Sequence, residues 1–181
     1  MDNKGVILAV ERSRERLRAL RSNLSRLGVE IAVVLKWDAR FLGKLEIKAD
    51  KVLLDAPCSG EGLTPIDPSR RVKTKFEDLT RFSKIQEELL MVAYNIAKQG
   101  GTIVYSTCSI APEENEFVIN SVLERLKGKL KVAPLNIGYG EKGYTRIFGY
   151  ELDPSLEYCR RFYPHKHGCE GFFICKLVKE E

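Results

Sequence analysis

The chain has 181 residues, with 30 Lys and Arg against 25 Asp and Glu, and a formal net charge of +5. That length supports one domain spanning residues 1–181 without a second sizeable core, and a 44% hydrophobic fraction with seven prolines excludes collagen, coiled coil and wholesale disorder. The apolar runs fall far short of the roughly 18 residues that span a bilayer, and the N-terminus lacks the basic-then-apolar pattern of a secretory signal, so a cytoplasmic protein with no membrane partner is expected.

Residues 6–10 (VILAV) are apolar throughout, as in a strand covered on both faces. Leu17, Leu20, Leu24 and Leu27 then recur at helical spacing, and Gly28 supplies a stop. Residues 31–35 (IAVVL) predict a second strand and residues 51–54 (KVLL) a third, which runs into the polar loop Asp55-Ala56-Pro57-Cys58-Ser59-Gly60. Ser83 and Gln86 have capping-box spacing, and Ile85, Leu89, Val92 and Ile96 form the stripe of a long helix ended by Gly100-Gly101. Residues 102–105 (TIVY) predict another strand, which delivers the loop Ser106-Thr107-Cys108-Ser109. Pro112 opens a helix with Glu113, Glu114 and Glu116 near the positive end of its dipole. Residues 138–149 predict a glycine-rich surface loop, and residues 171–178 (GFFICKLV) a closing strand.

Strands alternating with helices predict an α/β fold with a doubly wound, mostly parallel sheet. Ligands bind such sheets beyond the carboxyl ends of the strands. Those ends are Glu11, Trp37-Asp38 and the two cysteine loops. A thiolate is the strongest nucleophile among side chains near neutral pH. Each thiol could instead be a small buried hydrophobe, but turn formers and hydroxyls flank both.

Five irregularly spaced cysteines predict free thiols rather than a disulfide framework. Cys159, His165, His167 and Cys169 cluster near the C-terminus without the paired spacings of a zinc site, so no metal is expected. Six arginines between Arg12 and Arg26 read as a solvated face. A second basic cluster, Arg70, Arg71, Lys73, Lys75, Arg81 and Lys84, follows the Cys58 loop, where it could neutralise nucleic-acid phosphates.

Four blocks together carry a resemblance. Residues 55–62 (DAPCSGEG) and 106–116 (STCSIAPEENE), with 161–167 (RFYPHKH) and 11–17 (ERSRERL), occur in the order found in the NOL1/NOP2/Sun (Fmu) family of RNA cytosine-5 methyltransferases, which the chain strongly resembles. The resemblance implies a Rossmann-like domain of the class I methyltransferase type and S-adenosyl-L-methionine as cofactor. It makes Cys108 the nucleophile that adds to C6 of cytosine, Asp55 the carboxyl that stabilises protonation at N3, and Cys58 the thiol that assists removal of the C5 proton and release of the enzyme. Glu11, Arg16, Asp38, Asp55 and Pro57 are its expected cofactor contacts, and Arg70, Arg71, Lys73, Lys75 and His165 the expected contacts to ribosomal or transfer RNA.

The family's first strand and glycine-rich cofactor loop have no counterpart before Met1. Three accounts stand at this point. A second polypeptide supplies the missing strand and loop, the chain is shortened, or it is a non-catalytic RNA-binding or assembly subunit.

Overall fold

Parallel pairing needs a crossover long enough to carry the chain back to its starting edge, and the first half of the sequence supplies such crossovers as helices. The computed structural model describes residues 1–73 and 75–180. They fall into two units, Met1–Ile47 and Lys48–Glu181.

In the first unit β1 (Ile7–Glu11) and β2 (Ala32–Lys36) pair in parallel through α1 (Arg14–Arg26). Ser13 caps α1, its side chain accepting from the Arg16 amide. A 3-10 turn, Ala39–Leu45, follows Asp38. Leu17 and Leu42 are buried, but Leu8 and Val33 are exposed. The expected cover on both faces is therefore not observed for β1. A single helix packs against this two-stranded sheet within the unit, and one helix shields one face.

The second unit begins with β3 (Ala49–Asp55), then α2 (Arg70–Lys73), α3 (Phe76–Ile96) and β4 (Ala97–Thr107). Next come α4 (Glu116–Leu126), β5 (Leu130–Ala133), β6 (Glu141–Lys142), β7 (Arg146–Ile147) and β8 (Tyr150–Glu151). The unit closes with β9 (Arg160–Phe162), α5 (Pro164–His167) and β10 (Phe172–Lys179). The main sheet runs β3-β4-β10-β9-β6, with β5 also on β10, while β7 and β8 pair separately. β3 and β4 are parallel; β10 is antiparallel to β4, β5 and β9. This antiparallel side has a local cause, because the short segment joining β9 to β10 contains only the four-residue α5, too little for a parallel crossover.

Ile103 and Tyr105 on β4, with Phe173 and Leu177 on β10, point to one sheet face at period two and are buried beneath Leu90 of α3 and Val118, Ile119 and Val122 of α4. Burying such side chains contributes roughly 1.5–3 kcal/mol each. The fold is the expected Rossmann-like α/β class.

Several local expectations shift. α3 starts at Phe76, where the Asp78 carboxylate accepts from the Lys75 amide, while Ser83 merely donates back to the Thr80 carbonyl. The helix ends at Ile96, because pairing of Ala97 with Ala49 recruits the next residues into β4. Its buried positions are Gln86, Leu89, Leu90, Ala93 and Ile96, a stripe rotated toward a polar residue. Residues 138–149 hold β6 and β7 rather than only a loop. Cys159 and Cys175 form a disulfide, which corrects the expectation that all five thiols are free; Cys58, Cys108 and Cys169 remain so. The pairing of β9 with β10 brings the two together, a long-range effect that spacing does not encode.

Candidate active site

Because β3 and β4 are parallel neighbours with Asp55 opposite Ser106, the loops that follow them leave the same end of the sheet. The Cys58 and Cys108 sulfurs lie 3.2 Å apart and are both half-buried. Ser106 Oγ donates to Asp55 Oδ1 at 3.2 Å, fixing the carboxylate beside the thiols. The hydrogen bond from Cys58 lowers the Cys108 thiol to about 7, against the opposing influence of burial and of Asp55. Cys58 is driven upward, first by that same bond and then by burial. The pair thus divides into a thiolate and a thiol that donates to it. The three expected catalytic residues, Asp55, Cys58 and Cys108, come together.

The scaffold around them went unread in the sequence. Glu114 and Glu116, which the sequence places at a helix start, and Asn115 between them are fully buried. Glu114 accepts from the Ser59 amide at 2.8 Å, from Ser59 Oγ at 2.6 Å and from Gln86 Nε2 at 3.3 Å. Gln86 Nε2 also donates to the Pro57 carbonyl at 2.8 Å. Asn115 accepts from Thr107 Oγ1 at 2.6 Å and donates to the Ser109 carbonyl at 3.0 Å, gripping both neighbours of Cys108. Glu116 pairs with the buried Arg161, whose guanidinium also donates to the Ile110 carbonyl. Placing acidic and amide side chains on otherwise apolar faces is the one sequence signal that marks them, since buried polar groups need partners.

Backbone contacts finish the loop. The Gly62 amide donates to the Cys108 carbonyl at 3.0 Å, and the Gly171 amide to the Gly62 carbonyl at 2.9 Å.

In the first unit, Glu11 Oε1 accepts from the Ser13 amide at 2.6 Å, which holds the carboxylate at the strand end. Asp38 is clamped by Arg40, whose guanidinium donates to Oδ2 at 2.7 Å, and this bond holds its carboxyl near 2. Asp38, Trp37, Phe41, Arg12 and Lys36 line a hollow of about 270 Å³. Arg16 is exposed on α1 and does not line it.

Of the expected RNA contacts, Arg70 is engaged with the Cys58 loop: its guanidinium donates to the Ser59 carbonyl at 3.1 Å and pairs with Asp67 at 3.3 Å. Lys75 and His165 are exposed. The side chains of Arg71 and Lys73 lie outside the described residues. A second hollow of about 920 Å³ is walled by Ile66, Ile137, Tyr139, Phe162 and Phe172. Among the described residues no His, Cys, Asp and Glu cluster has metal-binding geometry, and no helix is long and apolar enough to cross a membrane.

Residues 1–178 match the family described as 16S rRNA methyltransferase RsmB/F. The chain belongs to that family. This RsmB/F chain is 42% identical over 183 residues to the human 28S rRNA (cytosine(4447)-C(5))-methyltransferase, covering 99% of itself and 22% of that protein. It is 38% identical to the tRNA (cytosine(72)-C(5))-methyltransferase of Pyrococcus horikoshii, covering 99% of itself and 42% of the relative. Two crystal structures of Pyrococcus horikoshii proteins resemble it. A methyltransferase homolog superposes with a TM-score of 0.86 at 40% identity, over 99% of this chain and 55% of that one. NSun6 with SFG superposes with a TM-score of 0.84 at 36% identity, over 99% and 43%. The RsmB/F chain therefore spans 22% and 42% of the length of these two relatives.

Proposed function

We propose that the chain is the catalytic portion of an S-adenosyl-L-methionine-dependent RNA cytosine-5 methyltransferase that acts on ribosomal or transfer RNA through a covalent bond between Cys108 and C6 of the target cytosine. The observation that carries this reading is the 3.2 Å sulfur pair, with Cys108 lowered to about 7, at the strand ends beside Asp55. C5 of cytosine is a poor nucleophile on its own. Addition of the Cys108 thiolate to C6 pushes the ring electron pair toward C5, and Asp55 favours the accompanying protonation at N3. The bound cofactor supplies the methyl group. The C5 proton then passes to solvent with Cys58 assisting, its electron pair forms the C5–C6 double bond as the C6–sulfur bond breaks, Cys108 leaves as thiolate, and the N3 proton returns to Asp55. Cys58, a thiol in contact with that sulfur, assists the release. The target base must be unpaired or flipped out for sulfur to reach it.

The hollow around Asp38 fits the nucleoside end of the cofactor. Trp37 and Phe41 offer apolar walls, Asp38 an ionised acceptor for an exocyclic amine, and Glu11 a carboxylate for ribose hydroxyls. Arg16 and Pro57 remain secondary contacts in this reading. Lys75, His165 and Arg70, and from the sequence Arg71 and Lys73, are the contacts to RNA in this reading, while the exposed Tyr139 offers a ring on which an unpaired base can stack. A preceding segment or a second polypeptide supplies a further strand and the amides for the methionine end. Among the described residues β3 pairs on one side only and Leu53 on it is 73% exposed, an open edge that such a strand would cover.

Trapping on RNA that contains 5-azacytidine tests the proposal. With the strand-supplying segment present, the wild-type protein forms a denaturation-resistant adduct that Cys108→Ala abolishes. Absence of any adduct under those conditions supports the non-catalytic subunit instead.

A further inference from the structure

The carboxylate of Glu114 is 0% exposed, yet among the described residues no cation lies among its hydrogen-bond partners, which are the Ser59 amide, the Ser59 hydroxyl and Gln86. Burying a carboxylate costs several kcal/mol unless donors compensate, so the three donors are what make the site tenable. All three converge on one tripeptide. Ser59 follows Cys58 directly, and Gln86 holds the Pro57 carbonyl that precedes it. Cys58 is thus suspended between two residues anchored to one buried group, which itself sits seven residues beyond Thr107 on the segment that follows Cys108. Tyr105 fixes that segment from the strand side, its hydroxyl donating to the Glu114 carbonyl at 2.5 Å.

We infer that Glu114 is a positioning residue: by clamping Ser59 and Gln86 it sets the distance between the Cys58 and Cys108 sulfurs and thereby keeps Cys58 donating to Cys108. The inference deepens the proposed function by assigning control of the thiol pair, and it rests on that reading only for its meaning in catalysis.

Its sign is diagnostic. The titratable groups facing Cys108 are Cys58, Asp55 and Glu114, and the negative charge of Glu114 by itself disfavours the thiolate. If Glu114 acted through charge alone, neutralising it would lower the Cys108 midpoint. If it acts by holding Cys58 in place, removing the clamp weakens the donated bond and raises the midpoint.

The experiment measures the alkylation rate of Cys108 by iodoacetamide against pH, with peptide-resolved mass spectrometry, in the 181-residue chain without RNA. The expected wild-type midpoint is about 7. In Glu114→Gln it rises toward the about 8.5 of an ordinary cysteine, and Ser59→Ala, which keeps the charge and removes the hydroxyl's bonds to Glu114 and to Ser109, shifts it the same way by less. Cys58→Ala raises it as well, and adding Glu114→Gln to Cys58→Ala produces no further rise, because the effect runs through Cys58. A midpoint that falls or stays in place in both Glu114→Gln and Ser59→Ala, or additive rises in the double variant, overturns the inference. Should Glu114→Gln fail to fold, judged by circular dichroism, Ser59→Ala decides alone. Because no RNA enters the assay, its result is separate from that of the azacytidine trap.

Discussion

Gly62 and Gly171 meet backbone to backbone, with the Gly171 amide donating to the Gly62 carbonyl at 2.9 Å. A Cβ on Gly62 would stand 2.2 Å from the Gly171 carbonyl oxygen and 2.6 Å from that of Cys108. Neither neighbour is the flexible end of a side chain, so backbone must move. Gly62→Ala is therefore expected to destabilise the chain by about 1–3 kcal/mol, the usual range for overpacking. Urea unfolding measures the loss, and an unchanged midpoint would mean that the three segments part without cost.

The thiol pair predicts a specific pH response. Only the thiolate is reactive, and the folded protein holds Cys108 near 7. Alkylation of Cys108 in the wild-type chain should fall as pH drops through 7 and level off above about 8, while Cys58, pushed upward, stays unlabelled across that window. Equal labelling of both cysteines at pH 7.5 would contradict the division into thiolate and donor.

Release and attack should separate genetically. With ordinary cytosine in the RNA, Cys58→Ala is expected to accumulate the covalent protein–RNA species, because bond formation needs Cys108 and bond breaking leans on Cys58. Gel mobility under denaturing conditions reports it. No accumulation, alongside normal turnover, would remove Cys58 from the release step.

Arg161 and Glu116 are 2% and 0% exposed and paired at 2.5 Å. Coulombic attraction and hydrogen bonding to Glu116 keep the guanidinium charged against the opposing effect of burial. Arg161→Met strands a buried carboxylate, so a loss of about 3–5 kcal/mol is expected, and adding Glu116→Gln should restore part of it. Denaturant unfolding of the single and double variants checks this; a double variant weaker than the sum of the singles would show that the pair is not the unit.

Trp37 is the single tryptophan and lines the hollow with Asp38, so its fluorescence reports ligand there. Asp38→Asn is expected to weaken S-adenosyl-L-methionine binding about tenfold, the size of one charge-assisted hydrogen bond. Since Arg40 holds the Asp38 carboxyl near 2, protonation of Asp38 should not weaken binding as pH falls from 8 to 5. An Asp38→Asn protein that titrates like wild type would move the nucleoside elsewhere.

How much of this was legible in the chain divides by range. The strands ending at Glu11, Lys36, Asp55 and Thr107 are readable because local apolar runs and the polar loops after them reflect the same physics everywhere. The paired cysteines stood out for the same reason, since turn formers around a thiol argue against simple burial. The start of α3 is not where the Ser83 and Gln86 spacing puts it, because the helix begins earlier, at Phe76, with the Asp78 carboxylate accepting from the Lys75 amide. A capping box is a short-range rule, and which candidate wins depends on where the helix docks.

By itself the sequence determined the alternation of strands and helices, the two reactive loops and the family blocks, all properties of neighbouring residues. Only tertiary structure decided that Glu114 turns inward to hold Ser59, that Arg161 reaches Glu116 and Ile110 across 45 and 51 residues, and that Cys159 meets Cys175. Those outcomes follow from burial, which turns an ordinary polar side chain into one that must find a partner, and the partner is chosen by the packing of strands distant along the chain.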